Sequence, residues 1–464
     1  MPQALERADG RWAWVVLLAS LVTQALTLAF PMCIGVFFTE LQHDFQASNS
    51  ETSWLPSIMG SMLHAGGPLC SILVGRFGCR VTMMLGGMLS SLGMVASSFS
   101  RTLVQLFLTA GLITGLGMSF SFQGCVTALG LYFVRRRPLA NALASIGISI
   151  GVTLWPLLAR YLLEELGWRG AFLVFGGAFL HCCICGAIMR PVATSEAPET
   201  RDHLPPLPKT PSHGCLATCG STLRYHLACD ILRHNLGYCV YTVGVTVMVL
   251  GYSLPHIFLV PYAMRYGMEE YWAALLMSIV GFCNIFLRPI AGLLVGRKCF
   301  ADYRKYLFSL AILLNGLTNL ICPVSAEFWV LVGYCLVYSV SMCGIGILLF
   351  QVLMDIVPMD RFPSALGLVS VLCSLTSLIS PPLAGLVLDS TDNFSYVFYM
   401  SSFFLITSAF FMGGSFYSLQ KRERKGQQDK AKGDTSETVP VPGLILEDRP
   451  KRELCTESMY VTSV

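Results

Sequence analysis

Pro68-Leu69-Cys70-Ser71-Ile72-Leu73-Val74-Gly75-Arg76 returns later in the chain as Pro289-Ile290-Ala291-Gly292-Leu293-Leu294-Val295-Gly296-Arg297. Each copy closes a long apolar run and hands it over to a basic residue. A weaker pair, Pro156-Leu157-Leu158-Ala159 and Pro381-Pro382-Leu383-Ala384, stands at nearly the same offset. Matching segments at a near-constant separation mean that one unit has been built twice, as two parallel halves joined by a connection.

What surrounds the repeat is apolar. The chain of 464 residues is 54% hydrophobic and 12% charged, with a mean hydropathy of +0.63. Soluble domains carry about 25% charged residues, so this composition needs lipid around it. A spanning helix takes about 20 mostly apolar residues. Candidate spans are 12–38, 52–75, 81–99, 103–131, 138–160 and 169–189, then 236–263, 271–296, 304–323, 328–354, 363–388 and 394–418. The expected fold is therefore an all-α polytopic membrane protein, with twelve transmembrane helices in two six-helix halves. The N-terminal half covers 1–189 and the C-terminal half 236–418. Between them, 190–235 reads as a flexible cytoplasmic linker loop around Pro205-Pro206-Leu207-Pro208, and 419–464 as a disordered cytoplasmic tail. Gly111/Gly115 and Gly147/Gly151 supply the small-xxx-small spacing that lets helices approach closely. Residues 1–11 are polar and the run behind them is too long for the core of a cleavable leader.

Lys and Arg set the orientation. With the N-terminus inside, Arg76, Arg80, Arg135, Arg136, Arg137, Arg297, Lys298, Arg304, Lys305, Arg361 and the Lys421–Lys425 cluster fall on cytoplasmic connections. The other face collects Glu40, Asp44, Glu51, Glu164, Glu165, Glu269, Glu270, Glu327 and Asp389. Both termini are expected to be cytoplasmic, in the plasma membrane. A net charge of +4, so scattered, does not suit a nucleic-acid partner. Most of the eighteen cysteines lie in apolar runs, where Cys behaves as a small hydrophobe. The cluster His181, Cys182, Cys183 and Cys185 lacks the paired spacing of a zinc site. No metal or cofactor is expected. No nucleophile–base pair stands in the spans, so an enzyme is not expected either.

One charge does stand in the spans. Arg288 lies well inside the eighth, alone. A guanidinium in the bilayer is costly unless it faces a cavity or a partner, so it reads as functional. Its planar fork keeps its proton and suits a carboxylate. The competing reading is a structural Arg that caps carbonyls at a helix junction.

Further motifs resemble the monocarboxylate transporter family. Asp9-Gly10-Arg11-Trp12-Ala13-Trp14 is similar to its first-helix signature, departing at Arg11. Tyr132-Phe133-Val134-Arg135-Arg136-Arg137-Pro138-Leu139-Ala140-Asn141-Ala142-Leu143-Ala144 is similar to its second, and Gly167-Trp168-Arg169-Gly170 and Arg288-Pro289 add to the likeness. The resemblance covers residues 9 to about 418. It implies a major facilitator fold that works by alternating access, and it implies that Arg288 binds the substrate anion. It also exposes two departures. Lactate-type members carry an aspartate where this chain has Asn284, and a lysine after the Phe-Pro pair where Phe30-Pro31 is followed by Met32. Neither replacement titrates, whereas proton coupling needs a group whose protonation changes between states.

His64 stands where lactate-type members have a substrate-contacting tyrosine; an imidazole can bind an anion or carry a proton, or simply be hydrogen-bonded in the bundle. The resemblance places Asn141 at a substrate-contact position, with helix packing as the other reading, and Arg137, which closes the basic cluster at the helix start, reads either as a gating or substrate residue or as plain positive-inside anchoring. Met342, at a position where the family can place a pocket-narrowing phenylalanine, and Leu28 in place of a tyrosine imply a larger, greasier cavity. Core packing explains each of the two equally well alone. The chain ends Thr462-Ser463-Val464, which fits a PDZ-domain ligand. Several family members need a single-span immunoglobulin-type chaperone. The leading expectation is a facilitative carrier of bulky organic anions. A proton–monocarboxylate symporter with His64 as titrating group is the alternative, and a non-transporting scaffold is a third.

Overall fold

The computed structural model describes residues 10–133, 137–190, 229–358 and 362–434, and these are helical with short turns. In chain order the spans are α1 (Arg11–Phe45), α2 (49–77), α3 (79–98), α4 (Leu103–Tyr132), α5 (137–166) and α6 (168–188). The second half holds α7 (Leu236–Arg265), α8 (Glu270–Val295), α9 (Arg304–Val324), α10 (Phe328–Ile356), α11 (Phe362–Thr391) and α12 (Ser395–Asp434). Ten stretches among the described residues are long and apolar enough to cross a bilayer. One of them, Ala140–Ile188 with 49 residues, turns back at Gly167 and is two spans, and α2, interrupted at Gly66, completes the twelve.

Two glycines make the tightest reversals. Gly78 (φ 80°) folds α3 back on α2, and Gly167 (φ 66°) folds α6 back on α5. A Cβ would be strained at both, so glycine is the residue that lets the chain turn there. Trp168 and Arg169 follow at once. The Trp168 indole N–H donates to Asp44 (2.9 Å), and Arg169 reaches the Ser100 carbonyl (3.2 Å). The Gly-Trp-Arg-Gly motif thus ties the α5–α6 turn to the end of α1 and to the α3–α4 turn.

The first span of each half is broken at a matching place. In α1 the regular helix Arg11–Thr27 stops and resumes at Ala29–Cys33, with Leu28 between. In α7, Leu236–Tyr252 stops and Leu254–Arg265 resumes, with Ser253 between. Pro31 and Pro255 stand just beyond the breaks. Proline lacks the N–H of the helical ladder and crowds the turn before it, so each break has a local chemical cause.

The small residues place the helices. A Cβ on Gly147 would meet the Leu21 carbonyl oxygen at 2.1 Å, and one on Gly151 the Ala29 Cβ at 2.4 Å, so α5 lies directly on α1. Gly111 and Gly115 seat α4 against Ile58, Met59 and Met62 of α2 in the same way. Between the halves, α2 packs on α11 and α5 on α8. On α8, Phe282, Phe286, Ile290 and Leu293 form a stripe whose members are 55–67% exposed. The face carrying Gly281, Asn284 and Arg288 is turned inward. This is the inverse of a soluble helix, as lipid solvation requires.

One expected boundary moves. Composition puts the disordered tail at 419, whereas the last helix continues to Asp434. The residues concerned are mostly Lys, Arg, Glu, Gln and Ala, all good helix formers, with no proline before Pro440. Residues 191–228 of the expected linker, Arg135, Arg136 and Arg361, and the Thr462–Val464 motif lie outside the described residues.

Candidate substrate site

Call the end at which α1 starts the near end, and the end of the α1–α2 turn the far end. At the far end the halves are sealed. A Cβ on Gly35 of α1 would stand 2.6 Å from the Ile257 carbonyl oxygen of α7, and Phe38 meets Phe258 edge-on (5.6 Å). The Asp389 carboxylate of α11 accepts the backbone N–H groups of Asn49 and Ser50 (2.9 Å each) and the Asn49 amide (2.8 Å). A carboxylate from one half thereby sits at the helix N-terminus of the other, where anions are favoured. Arg160 of α5 pairs with Glu270 of α8.

The seal continues to mid-depth. Ser61 and Ser374 share a hydrogen bond (2.9 Å) between α2 and α11, and a Cβ on Gly281 would meet the Thr153 backbone N at 2.5 Å. Beyond that depth the α2 and α11 surfaces open, while α5 and α8 stay in contact, a Cβ on Gly292 standing 3.6 Å from the Ala142 Cβ. His64 is one turn past Gly60, whose Cβ would touch Ser377, and His64 is exposed. Asn141 is one turn before Ser145 on the α5 face that meets α8, and it too is exposed. A Cβ on Gly75 or Gly367 would find open space.

Arg288 lies on the α5–α8 seam between the Gly281–Thr153 and Gly292–Ala142 contacts. It is 9% exposed, and one Nη donates to the Ser145 carbonyl at 3.4 Å. Its Nε has no hydrogen-bond partner, and no ion pair to it occurs among the described residues. Tyr252, at the α7 break, and Cys343 lie within electrostatic reach of it. One turn earlier, Asn284 is 2% exposed, and its Nδ2 donates to its own helix at the Val280 carbonyl (2.9 Å). Its Oδ1 has no partner. The position offers an uncompensated cation and a neutral acceptor side by side.

The other expected residues take varied places. The His64 Nδ1 donates to the Gly60 carbonyl (2.8 Å), an acceptor only, so Nε2 is left as an acceptor. Met32 is half-buried in the segment just past the α1 break. Arg137 is the first residue of α5, and its side chain lies outside the described residues. Met342 is 2% exposed and packed in the C-terminal half.

What holds Met342 is a residue that sequence reasoning missed. His256, 4% exposed just past the α7 break, places Nε2 at 3.3 Å from the Met342 sulfur and Nδ1 at 3.1 Å from the Tyr338 hydroxyl. A thioether only accepts, so Nε2 carries the proton and Nδ1 accepts from Tyr338. The neutral imidazole is thereby fully satisfied in one tautomer. Tyr338 stacks on Tyr334, whose hydroxyl donates to Asn319 (2.9 Å); Asn319 donates to Ser401 (2.9 Å), and Ser401 donates to the Gly251 carbonyl (2.8 Å). This network ties the broken α7 to α9, α10 and α12. The signal was available, since a lone titratable residue in a span is the same cue that singles out Arg288. His256→Phe fills the space but leaves the Tyr338 hydroxyl without its acceptor. We expect it to destabilise the purified protein by about 1–3 kcal/mol in thermal unfolding.

Comparison with known proteins agrees with this architecture. The sequence pattern of the Major Facilitator Superfamily matches residues 14–301 and 299–458. Among solved structures, the chain resembles an inward-facing, unoccupied bacterial homologue of the human lysosomal transporter Spinster. The TM-score is 0.65 at 14% identity, over 89% of this chain and 99% of that one. It also resembles a POT family transporter in complex with a thioalcohol-conjugated peptide, with a TM-score of 0.66 at 12% identity, over 85% and 94%. Fold and sequence together define a transporter of the major facilitator class. Monocarboxylate transporter 6 of Mus musculus is 70% identical over the whole of both chains. The Homo sapiens protein of that name is 74% identical over 92% of this chain and 85% of its own. Monocarboxylate transporter 4 of Rattus norvegicus is 40% identical over 91% and 87%. The chain belongs to the monocarboxylate transporter family.

Proposed function

We propose that this chain is a plasma-membrane carrier of monovalent organic anions, that it works by alternating access as a facilitative transporter, and that it favours bulky amphipathic anions over lactate. The observation that carries the reading is Arg288, buried on the α5–α8 seam with an Nε that has no hydrogen-bond partner and no acidic partner among the described residues. A buried cation without a counter-ion is strained electrostatically until an anion arrives. The names of the relatives point to monocarboxylates as the cargo. Asn284 and Met32 cannot titrate, which supports uniport over proton coupling. Both termini are read as cytoplasmic, so the near end opens to the cell interior. A PDZ-domain partner at Thr462–Val464 and an immunoglobulin-type chaperone belong to the same reading.

One observation favours the symport alternative. His64 is exposed on a face directed at the other half, with Nε2 free to take a proton. The two readings separate in cells expressing the chain, given labelled lactate or the bulky anion 4-benzoylbenzoate at external pH 6 and 7.5. The facilitative reading expects saturable 4-benzoylbenzoate uptake that does not follow the imposed proton gradient. Lactate uptake rising severalfold at pH 6, and losing that rise in His64→Gln, would overturn it.

A further inference from the structure

Three buried polar atoms on facing helices share one feature: none has a hydrogen-bond partner among the described residues. They are Nε of Arg288, Oδ1 of Asn284 and Oγ of Ser149, in residues 9%, 2% and 1% exposed. Arg288 and Asn284 are one turn apart on α8. Ser149 is on α5, and two contacts fix its level. The Arg288 guanidinium touches the Ser145 carbonyl, and Gly281 lies against Thr153. The helices run antiparallel, so Ser149, midway between Ser145 and Thr153, is level with 284–285, midway between 288 and 281. The three residues that carry them therefore fall at neighbouring levels along the α5–α8 seam.

Buried polar groups are normally satisfied, and a cluster that is not points to something absent. Its chemistry follows from the atoms. Arg288 Nε donates and carries the charge, so it faces an anion's oxygen. Asn284 Oδ1 can only accept. Its orientation is set, because Nδ2 faces the Val280 carbonyl, which cannot donate. An aspartate here would pair with the arginine; a neutral amide oxygen instead demands a donor from the ligand. Ser149 can take either role.

We infer that Asn284 Oδ1, supported by Ser149, is a subsite for a hydrogen-bond donor beside the substrate's carboxylate. The preferred substrates are then organic monocarboxylates bearing an O–H or N–H within a few bonds of the carboxylate. This rests on the anion-carrier reading and narrows its substrate class. A site built around a buried acceptor discriminates strongly against a ligand that leaves it unpaired.

The test compares two aromatic anions that differ in one hydroxyl, benzilate and diphenylacetate, as competitive inhibitors of 4-benzoylbenzoate uptake by the full chain in cells. We expect the wild type to bind benzilate about tenfold more tightly than diphenylacetate. In Asn284→Leu the two inhibition constants should converge to within about twofold, and Ser149→Ala should shrink the difference partway. Asn284→Asp keeps an acceptor but pairs Arg288, so it should weaken both anions while retaining the preference. Equal constants in the wild type would overturn the subsite without needing any variant to fold. So would a preference that survives Asn284→Leu. If neither anion inhibits, or both inhibit Arg288→Ala as strongly as wild type, the anion-carrier reading itself fails and this inference falls with it.

Discussion

In Arg288→Ala we expect saturable uptake of 4-benzoylbenzoate to drop to the level of cells without the carrier, while the purified protein melts at the same temperature or higher. The pairing of those two results is what makes the prediction specific. Losing a buried charge-assisted contact costs about 2–5 kcal/mol, a factor of roughly 30 to several thousand in affinity. The substrate's carboxylate would then sit in a low-dielectric seam with no partner. The protein, by contrast, loses a charge that nothing among the described residues compensates, so its own stability has no reason to fall. Were Arg288 chiefly a cap for the Ser145 carbonyl, Ala would lower the melting temperature. The cap reading is already strained by geometry, since the contact is long at 3.4 Å. Arg288→Lys keeps charge but not the planar fork, and we expect it to recover only a small part of the uptake.

Gly35→Val should act through shape alone. The added Cβ would lie 2.6 Å from the Ile257 carbonyl oxygen and 3.2 Å from that of His256. Both are backbone atoms, so neither can swing aside as a side chain could. The far-end seal between α1 and α7 is forced apart, and the sealed state described here becomes the disfavoured one. We expect uptake to fall about tenfold, corresponding to roughly 1.4 kcal/mol of bias between the two states. A cysteine introduced by Ser50→Cys, beneath the Asp389 carboxylate, should at the same time react faster with an impermeant maleimide. Unchanged uptake and unchanged labelling would mean that the α1–α7 approach is not part of the gate.

How much of this could be read beforehand depended on the residue type. The twelve spans and the doubling followed from apolar run length and from Pro68–Arg76 with Pro289–Arg297, because lipid leaves the backbone few alternatives to helix. Arg288 stood out because charge in a span is rare, and Asn284 because a neutral residue stood where a carboxylate was expected. Ser149 could not have been found this way. Serine is abundant in these helices, and only the register of α5 on α8 sets this one apart. The helix breaks had a visible cue in Pro31 and Pro255, but proline also sits in unbroken helix here, at Pro56 and Pro156. The far-end contacts of Gly35 and Asp389 join residues hundreds of positions apart, which no local pattern encodes. The extent of the last helix is not legible in composition, because Lys, Arg, Glu and Gln suit a solvated helix as well as a disordered tail.

The paired breaks at Leu28 and Ser253 have a mechanical consequence. Two rods that can flex at matching places behave as levers with a common fulcrum, so the tips beyond it can splay while the shafts below keep their packing. On α1 that shaft is held by Gly147 on Leu21, and on α7 it is held just below the break by the Ser401 hydroxyl on the Gly251 carbonyl. Opening at the far end then combines a tilt of the two short arms, 29–45 and 254–265, with the parting of the Asp389–Asn49 and Arg160–Glu270 contacts. The shafts below the breaks can stay in register around the site while the tips beyond them move.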